Sequence, residues 1–222
     1  MLRKFTILIV SLVVFGWVIT TPVLAGTIEG KVKVKGLRSP KNILVYITKA
    51  PKSTVDIRKN QFELDQQNLT FSPHVLPIPV GSTVSFPNND KVPHNVFSMS
   101  RTKKFNLGYY GPGDSDKVTF DKTGMVELRC DMHAEMSAYV PVMRNAYFGL
   151  TDAKGNFSLP DKAYLSKHGI KSVKELPPGK YIIRTWHEKL RSSKQIVEIG
   201  NNGSANIVLK LKRGTPSALY KR

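Results

Sequence analysis

Between Met125 and Cys130, Val126, Leu128 and Cys130 fall on one side of an extended chain and Glu127 and Arg129 on the other, the pattern of a half-buried strand. The period returns at Ala138, Val140 and Val142, which predicts a second strand lying antiparallel to or beside the first. Shorter β-rich runs at 69–71, 81–86, 94–98 and 117–120 come at the spacing of a β-sandwich. Pro87-Asn88-Asn89-Asp90 and Gly111-Pro112-Gly113-Asp114 supply the turns between them. No long helical period interrupts this series, so the expected fold class is all-β.

The flanking segments have the same grammar. Residues 28–34 and 42–47 predict a hairpin, with Gly36, Pro40 and Asn42 in its turn. Residues 50–60 are polar and contain Pro51, which predicts a linker or long loop. Beyond Tyr147, strands are predicted at 181–186, 195–199 and 205–211, and the polar stretch 161–175 accommodates one short helix. The tail 213–222 has no period and is expected to be loose. A domain boundary is plausible at residues 50–60, and a third region with its own turns starts near Tyr147.

The start of the chain sets the compartment. Arg3 and Lys4 precede an uncharged apolar run from Phe5 to Ile19, and Val23-Leu24-Ala25 suits a signal peptidase, so residues 1–25 read as a signal peptide and the rest as periplasmic or otherwise extracytoplasmic. An uncleaved membrane anchor is the competing reading. The formal charge of +18 directs an exported chain toward acidic protein surfaces or anionic membranes. Nucleic acid is not expected, because no basic stripe is interleaved with aromatic residues. Lys31, Lys33 and Lys35 alternate with valines and read as a solvated strand face.

A single cysteine is unusual for an oxidising compartment, where thiols normally pair. Cys130 must therefore be deeply buried or held by a metal. Cys130, His133 and Met136 place a thiolate, an imidazole and a thioether at Cys-x2-His-x2-Met spacing just after a strand end. Soft sulfur with imidazole selects copper, and a His2Cys set with a weak axial Met is a blue-copper arrangement. The missing histidine is best supplied by His94, which leaves the turn Asn88–Pro93 and enters a new strand; His74 is its one competitor, while His168 and His187 lie outside the pattern.

Here the chain resembles a family. Residues 88–97 are similar to the first-histidine segment of plastocyanin and related cupredoxins, and Cys130–Met136 to their ligand loop in its short, amicyanin-like form. The resemblance covers residues 69–143 and implies a cupredoxin Greek-key sandwich binding one type 1 copper ion through His94, Cys130, His133 and Met136. It further implies that Asn95 hydrogen-bonds across to the ligand loop and that His133, within an apolar patch, is the electron exit. Glu135 departs from that pattern, since such loops usually carry apolar residues there. Residues 26–47 and 151–211 resemble carboxypeptidase regulatory-like, transthyretin-like sandwiches, and the combination resembles exported proteins of methylamine-utilisation type. This resemblance implies a domain of residues 60–144 inserted into a second, smaller β-sandwich made of residues 26–50 and 145–212; two consecutive sandwiches, the first containing residues 26–47, are the alternative.

The function so implied is single-electron transfer between redox protein partners, not enzymatic catalysis, because a rigid, fully ligated site leaves no position for substrate. A copper carrier or store would use similar ligands, but with exposed, exchangeable methionines. A metal-free binding or adhesion sandwich would need Cys130 buried and inert. A Cys130–His133 nucleophile pair lacks a third group to orient the base.

Overall fold

The computed structural model describes residues 26–50, 61–171, 173–201 and 203–220. The expected signal peptide and nearly all of the expected linker at 50–60 lie outside them. The chain opens with β1 (Thr27–Lys35) and β2 (Leu44–Ile47). Ten strands follow: β3 (Phe62–Glu63), β4 (Asp65–Gln67), β5 (Thr70–Ser72), β6 (Ile78–Pro79), β7 (Thr83–Pro87), β8 (His94–Ser100), β9 (Lys103–Tyr110), β10 (Ser115–Thr119), β11 (Gly124–Arg129) and β12 (Ser137–Met143). The last part contains β13 (Phe148–Leu150), β14 (Asn156–Leu159), α1 (Lys162–Lys167), β15 (Gly179–Trp186), β16 (Lys194–Ile199) and β17 (Ser204–Lys212). The fold is all-β apart from that one short helix.

Strands β3 to β12 build a five-stranded sheet of order β6-β12-β11-β8-β9 and a three-stranded sheet of order β10-β7-β3, with β4 and β5 pairing beside them. Val84, Phe86, Phe120, Val126, Leu128 and Val140 share the core of this unit. β11 and β12 pair antiparallel from Gly124 opposite Val142 to Arg129 opposite Ser137. This register turns Val126 and Leu128 inward and delivers Cys130 to the end of the sheet.

β1 and β2 do not pair with each other, which corrects the hairpin expectation. β1 lies between β14 and β17, and β2 between β13 and β15, in two separate sheets. Ile28 and Val32 of β1 meet Val45 and Ile47 of β2 across a shared core instead. The connection is long enough to cross between layers, and Asn42 turns it with φ 61°. Both strands bury their apolar faces this way, whereas a two-stranded hairpin would leave them wet.

The sheet β13-β2-β15-β16 is a middle layer. Val45 and Ile47 face the outer sheet β14-β1-β17, while Leu44, Tyr46, Phe148 and Trp186 join the core of the β3–β12 unit. That is why every residue of β2 is buried. The end of the chain enters the same junction: Leu219 is 2% exposed, its carbonyl accepts from the Tyr46 hydroxyl at 2.6 Å, and the Arg144 guanidinium stacks over the Tyr220 ring at 4.6 Å. The expected loose tail is thus, at Leu219 and Tyr220, packed against the body, because an apolar and an aromatic side chain find an open edge of the core.

The short strands β3, β4 and β6 were not expected, and the longest strand that the sequence did not announce is β9. Its two lysines and Gly108 mask a weak alternation in which Phe105 and Leu107 are only half-buried.

Candidate metal centre

β8 begins at His94 and runs beside β11, with Phe97 opposite Arg129, so His94 and Cys130 meet at one end of the five-stranded sheet. Cys130 leads into a loop held by two hydrogen bonds, one across its neck and one within it. The Met136 amide donates to the His133 carbonyl at 2.9 Å, and the Cys130 amide to the Met136 carbonyl at 3.3 Å. A loop tied at both ends holds its side chains to one arrangement.

The donor atoms of His94, Cys130 and His133 all lie within 4.8 Å of one another. The two histidine Nδ1 atoms are 3.0 Å apart, and Cys130 Sγ is 3.8 Å from His133 Nδ1. His94 is fully buried and Cys130 is 5% exposed, whereas His133 is half-buried. Met136, at the end of the same loop, is 1% exposed within the core. No other cluster of this kind occurs among the described residues.

Asp90 orients His94. Its carboxylate accepts from His94 Nε2 at 3.0 Å, from the Leu69 amide at 2.8 Å and from the Lys91 amide at 2.8 Å. The backbone N–H of Leu69, then that of Lys91, then the His94 ring hold this carboxyl down at about 2, because each bond favours the charged form. A carboxylate on Nε2 places the ring proton there and leaves the Nδ1 lone pair aimed at His133 and Cys130. The turn carrying Asp90 is itself anchored by buried Asn88, whose Nδ2 donates to the Val92 carbonyl at 3.0 Å and the Tyr110 carbonyl at 3.1 Å.

These residues suit a soft metal ion. Two imidazole nitrogens facing each other at 3.0 Å cannot both present lone pairs without repulsion; one carries a proton, or a cation sits between them. An ion bonded at about 2.0–2.1 Å to each nitrogen spans such a gap. The thiolate and two imidazoles select copper or zinc over the hard cations.

The structure separates His74 from this cluster. Its Nδ1 meets the Ser137 carbonyl at 3.0 Å and its Nε2 the Glu188 carboxylate at 3.1 Å. His168 stacks on Phe62, and His187 caps a turn through the Lys189 amide. Asn95 behaves otherwise than the resemblance implied: its Nδ2 donates to Asn106 Oδ1 at 2.7 Å and the Gly108 carbonyl at 3.2 Å, both on β9. Its buried Oδ1 has no partner among the described residues. Sequence reading overlooked Asp90, although its position four residues before His94 in an Asn-Asn-Asp turn was the available signal.

Residues 58–143 match the family model described as copper binding proteins, plastocyanin/azurin family. Among solved structures, the novel purple cupredoxin from Nitrosopumilus maritimus is similar at 31% identity, over 38% of this chain and 99% of that one, with a TM-score of 0.33. Amicyanin from Paracoccus versutus is similar at 19% identity, over 45% of this chain and 97% of that one, with a TM-score of 0.36. The copper-containing nitrite reductase of Thermus scotoductus SA-01 aligns at 22% identity over 51% of this chain but 28% of its own, with a TM-score of 0.38. No curated protein matches. Segment 58–143 is a copper-binding domain of the plastocyanin/azurin family, and copper is its cofactor.

Proposed function

We propose that this protein is an exported single-electron carrier in which His94, Cys130, His133 and Met136 would hold one type 1 copper ion. The observation that carries the reading is the convergence of two imidazole nitrogens and one thiol sulfur within 4.8 Å at the end of a rigid sheet. Bound copper supplies a one-electron couple that needs little rearrangement of its ligands. The protein's share is to hold those ligands. Asp90 fixes the ring of His94, two backbone hydrogen bonds fix the loop, and the surrounding core excludes water from Cys130 and Met136.

His133 is the most exposed of the four proposed ligands, half-buried where the other three are buried, which supports it as the point of electron exit toward a redox protein. Leu69, Val92 and Met132 are exposed apolar side chains within two residues of Asp90, His94 or His133 in space or sequence, and they supply an apolar rim for docking. We further read residues 26–50 and 145–212 as one carboxypeptidase regulatory-like sandwich carrying the copper domain as an insert. The pairing of β1 with β14 and β17, and of β2 with β13 and β15, supports this.

Reconstitution with Cu(II) tests the copper assignment. The expected product has an intense visible thiolate-to-copper band and narrow copper hyperfine splitting in EPR, and Cys130→Ser loses both. A colourless complex in the wild type would sink the type 1 reading. Reversible voltammetry with fast self-exchange separates a carrier from a copper store.

A further inference from the structure

The outer sheet carries a feature that electron transfer leaves unused. On β1, Glu29, Lys31, Lys33 and Lys35 are exposed while Ile28 and Val32 are buried. On β17, Val208, Lys210 and Lys212 are exposed while Ile207, Leu209 and Leu211 face the core. The two strands pair in parallel with Lys33 opposite Lys210, Lys35 opposite Lys212 and Lys31 opposite Val208. Five ammonium groups therefore share one face, spread over about 13 Å along the strands and about 5 Å between them. Glu29 is the only carboxylate in the three strands β14, β1 and β17. None of the five lysines is in an ion pair among the described residues.

Like charges directly opposite each other on a sheet are destabilising, so this ladder is held against its own repulsion. Lysines at protein interfaces are depleted, and stable interfaces are anchored by aromatic or arginine side chains in pockets. This face has neither; its one apolar residue is Val208, 49% exposed. A planar array of hydrated point charges instead matches a planar array of anionic headgroups. We propose that the β14-β1-β17 face is a mooring surface for anionic lipid bilayers. It covers the side of the outer sheet away from the middle layer, while the copper cluster belongs to the unit beyond that layer. A molecule moored here carries its copper-binding unit on the far side of the middle layer from the lipid. This inference does not depend on which metal the cluster holds.

The test is co-sedimentation of the chain, as purified from the exporting cell, with vesicles of phosphatidylglycerol and phosphatidylcholine or of phosphatidylcholine alone. Binding is expected only to the anionic vesicles and is expected to fade between low and molar salt. Each cation near an anionic leaflet contributes about fivefold in affinity, so the double variant K33E/K35E should bind at least about 100-fold more weakly. The same variant turns two repulsive cross-strand pairs into attractive ones, so its thermal midpoint should rise or hold, which excludes misfolding as the cause. Equal binding by the variant, or equal binding to both vesicle types, overturns the proposal. Capture by soluble polyglutamate without any vesicle binding replaces the lipid by an acidic protein and also overturns it.

Discussion

At the scale of single residues, Asp90 fixes the orientation and tautomer of the His94 ring. The carboxylate takes the Nε2 proton and two backbone N–H groups together, so one side chain both shapes the turn and selects the tautomer. Partners of this kind typically account for a 10- to 100-fold difference in metal affinity. Asp90→Ala should weaken copper binding by about that factor in a chelator competition and shift the reduction potential. Asp90→Asn keeps an acceptor for the ring and should recover much of both. If the alanine variant binds copper as tightly as the wild type, Asp90 has no part in positioning the ligand. Spacing and residue chemistry singled out the four proposed ligands, and the structure brings the donor atoms of three of them, His94, Cys130 and His133, together. Asp90 and the orphaned oxygen of Asn95 were not, because hydrogen bonding depends on where side chains finally point.

At the scale of elements, α1 illustrates how a short polar helix is kept in place. Asp161 caps its start by accepting from the Tyr164 amide at 2.9 Å, Leu165 is its one buried residue, and His168 ends it. The His168 ring stacks on Phe62 with centroids 4.7 Å apart, and its Nδ1 meets the Gln61 carbonyl at 3.0 Å. Burial lowers the His168 pKa below the ordinary 6.5, more than the Gln61 carbonyl restores, and Lys167 lowers it further. A histidine whose folded pKa is depressed binds protons more readily when unfolded. Its stabilising contribution is therefore complete above about pH 6.5 and is lost as the pH falls toward the lower folded pKa. His168→Phe keeps the stacking and removes the titration, so thermal midpoints measured below pH 6.5 should fall less steeply with acid than those of the wild type. An unchanged slope would assign that acid sensitivity elsewhere. The strands were mostly visible as alternation, but β9 was not, since a half-exposed edge tolerates Lys103, Lys104 and Gly108.

At the scale of the molecule, the two sandwiches share a layer. Leu44, Tyr46, Phe148, Trp186 and Leu219 all belong to the core of the copper-binding unit, and Trp186 meets Tyr139 edge-on with centroids 5.1 Å apart. Units joined through that much buried apolar surface should unfold together. Calorimetry of the wild type should show one transition. Trp186→Ala, which truncates a side chain 5% exposed, should cost about 3–5 kcal/mol and separate the transition into two. Two transitions in the wild type would mean that the units are energetically independent.

What the sequence settled alone was local. Alternation over two residues declares a strand, and a thiol, an imidazole and a thioether within seven positions gather soft-metal donors in one loop, because neighbours along a chain cannot help being near each other in space. Tertiary structure alone decided that β1 and β2 part company into different sheets, that Asp90 rather than a backbone group holds His94, that the chain end closes the junction, and that the lysines of β1 stand opposite those of β17. Each of these joins segments far apart in sequence, and which of many sticky faces meet is set by the total surface buried, a property of the whole chain and of no segment in it.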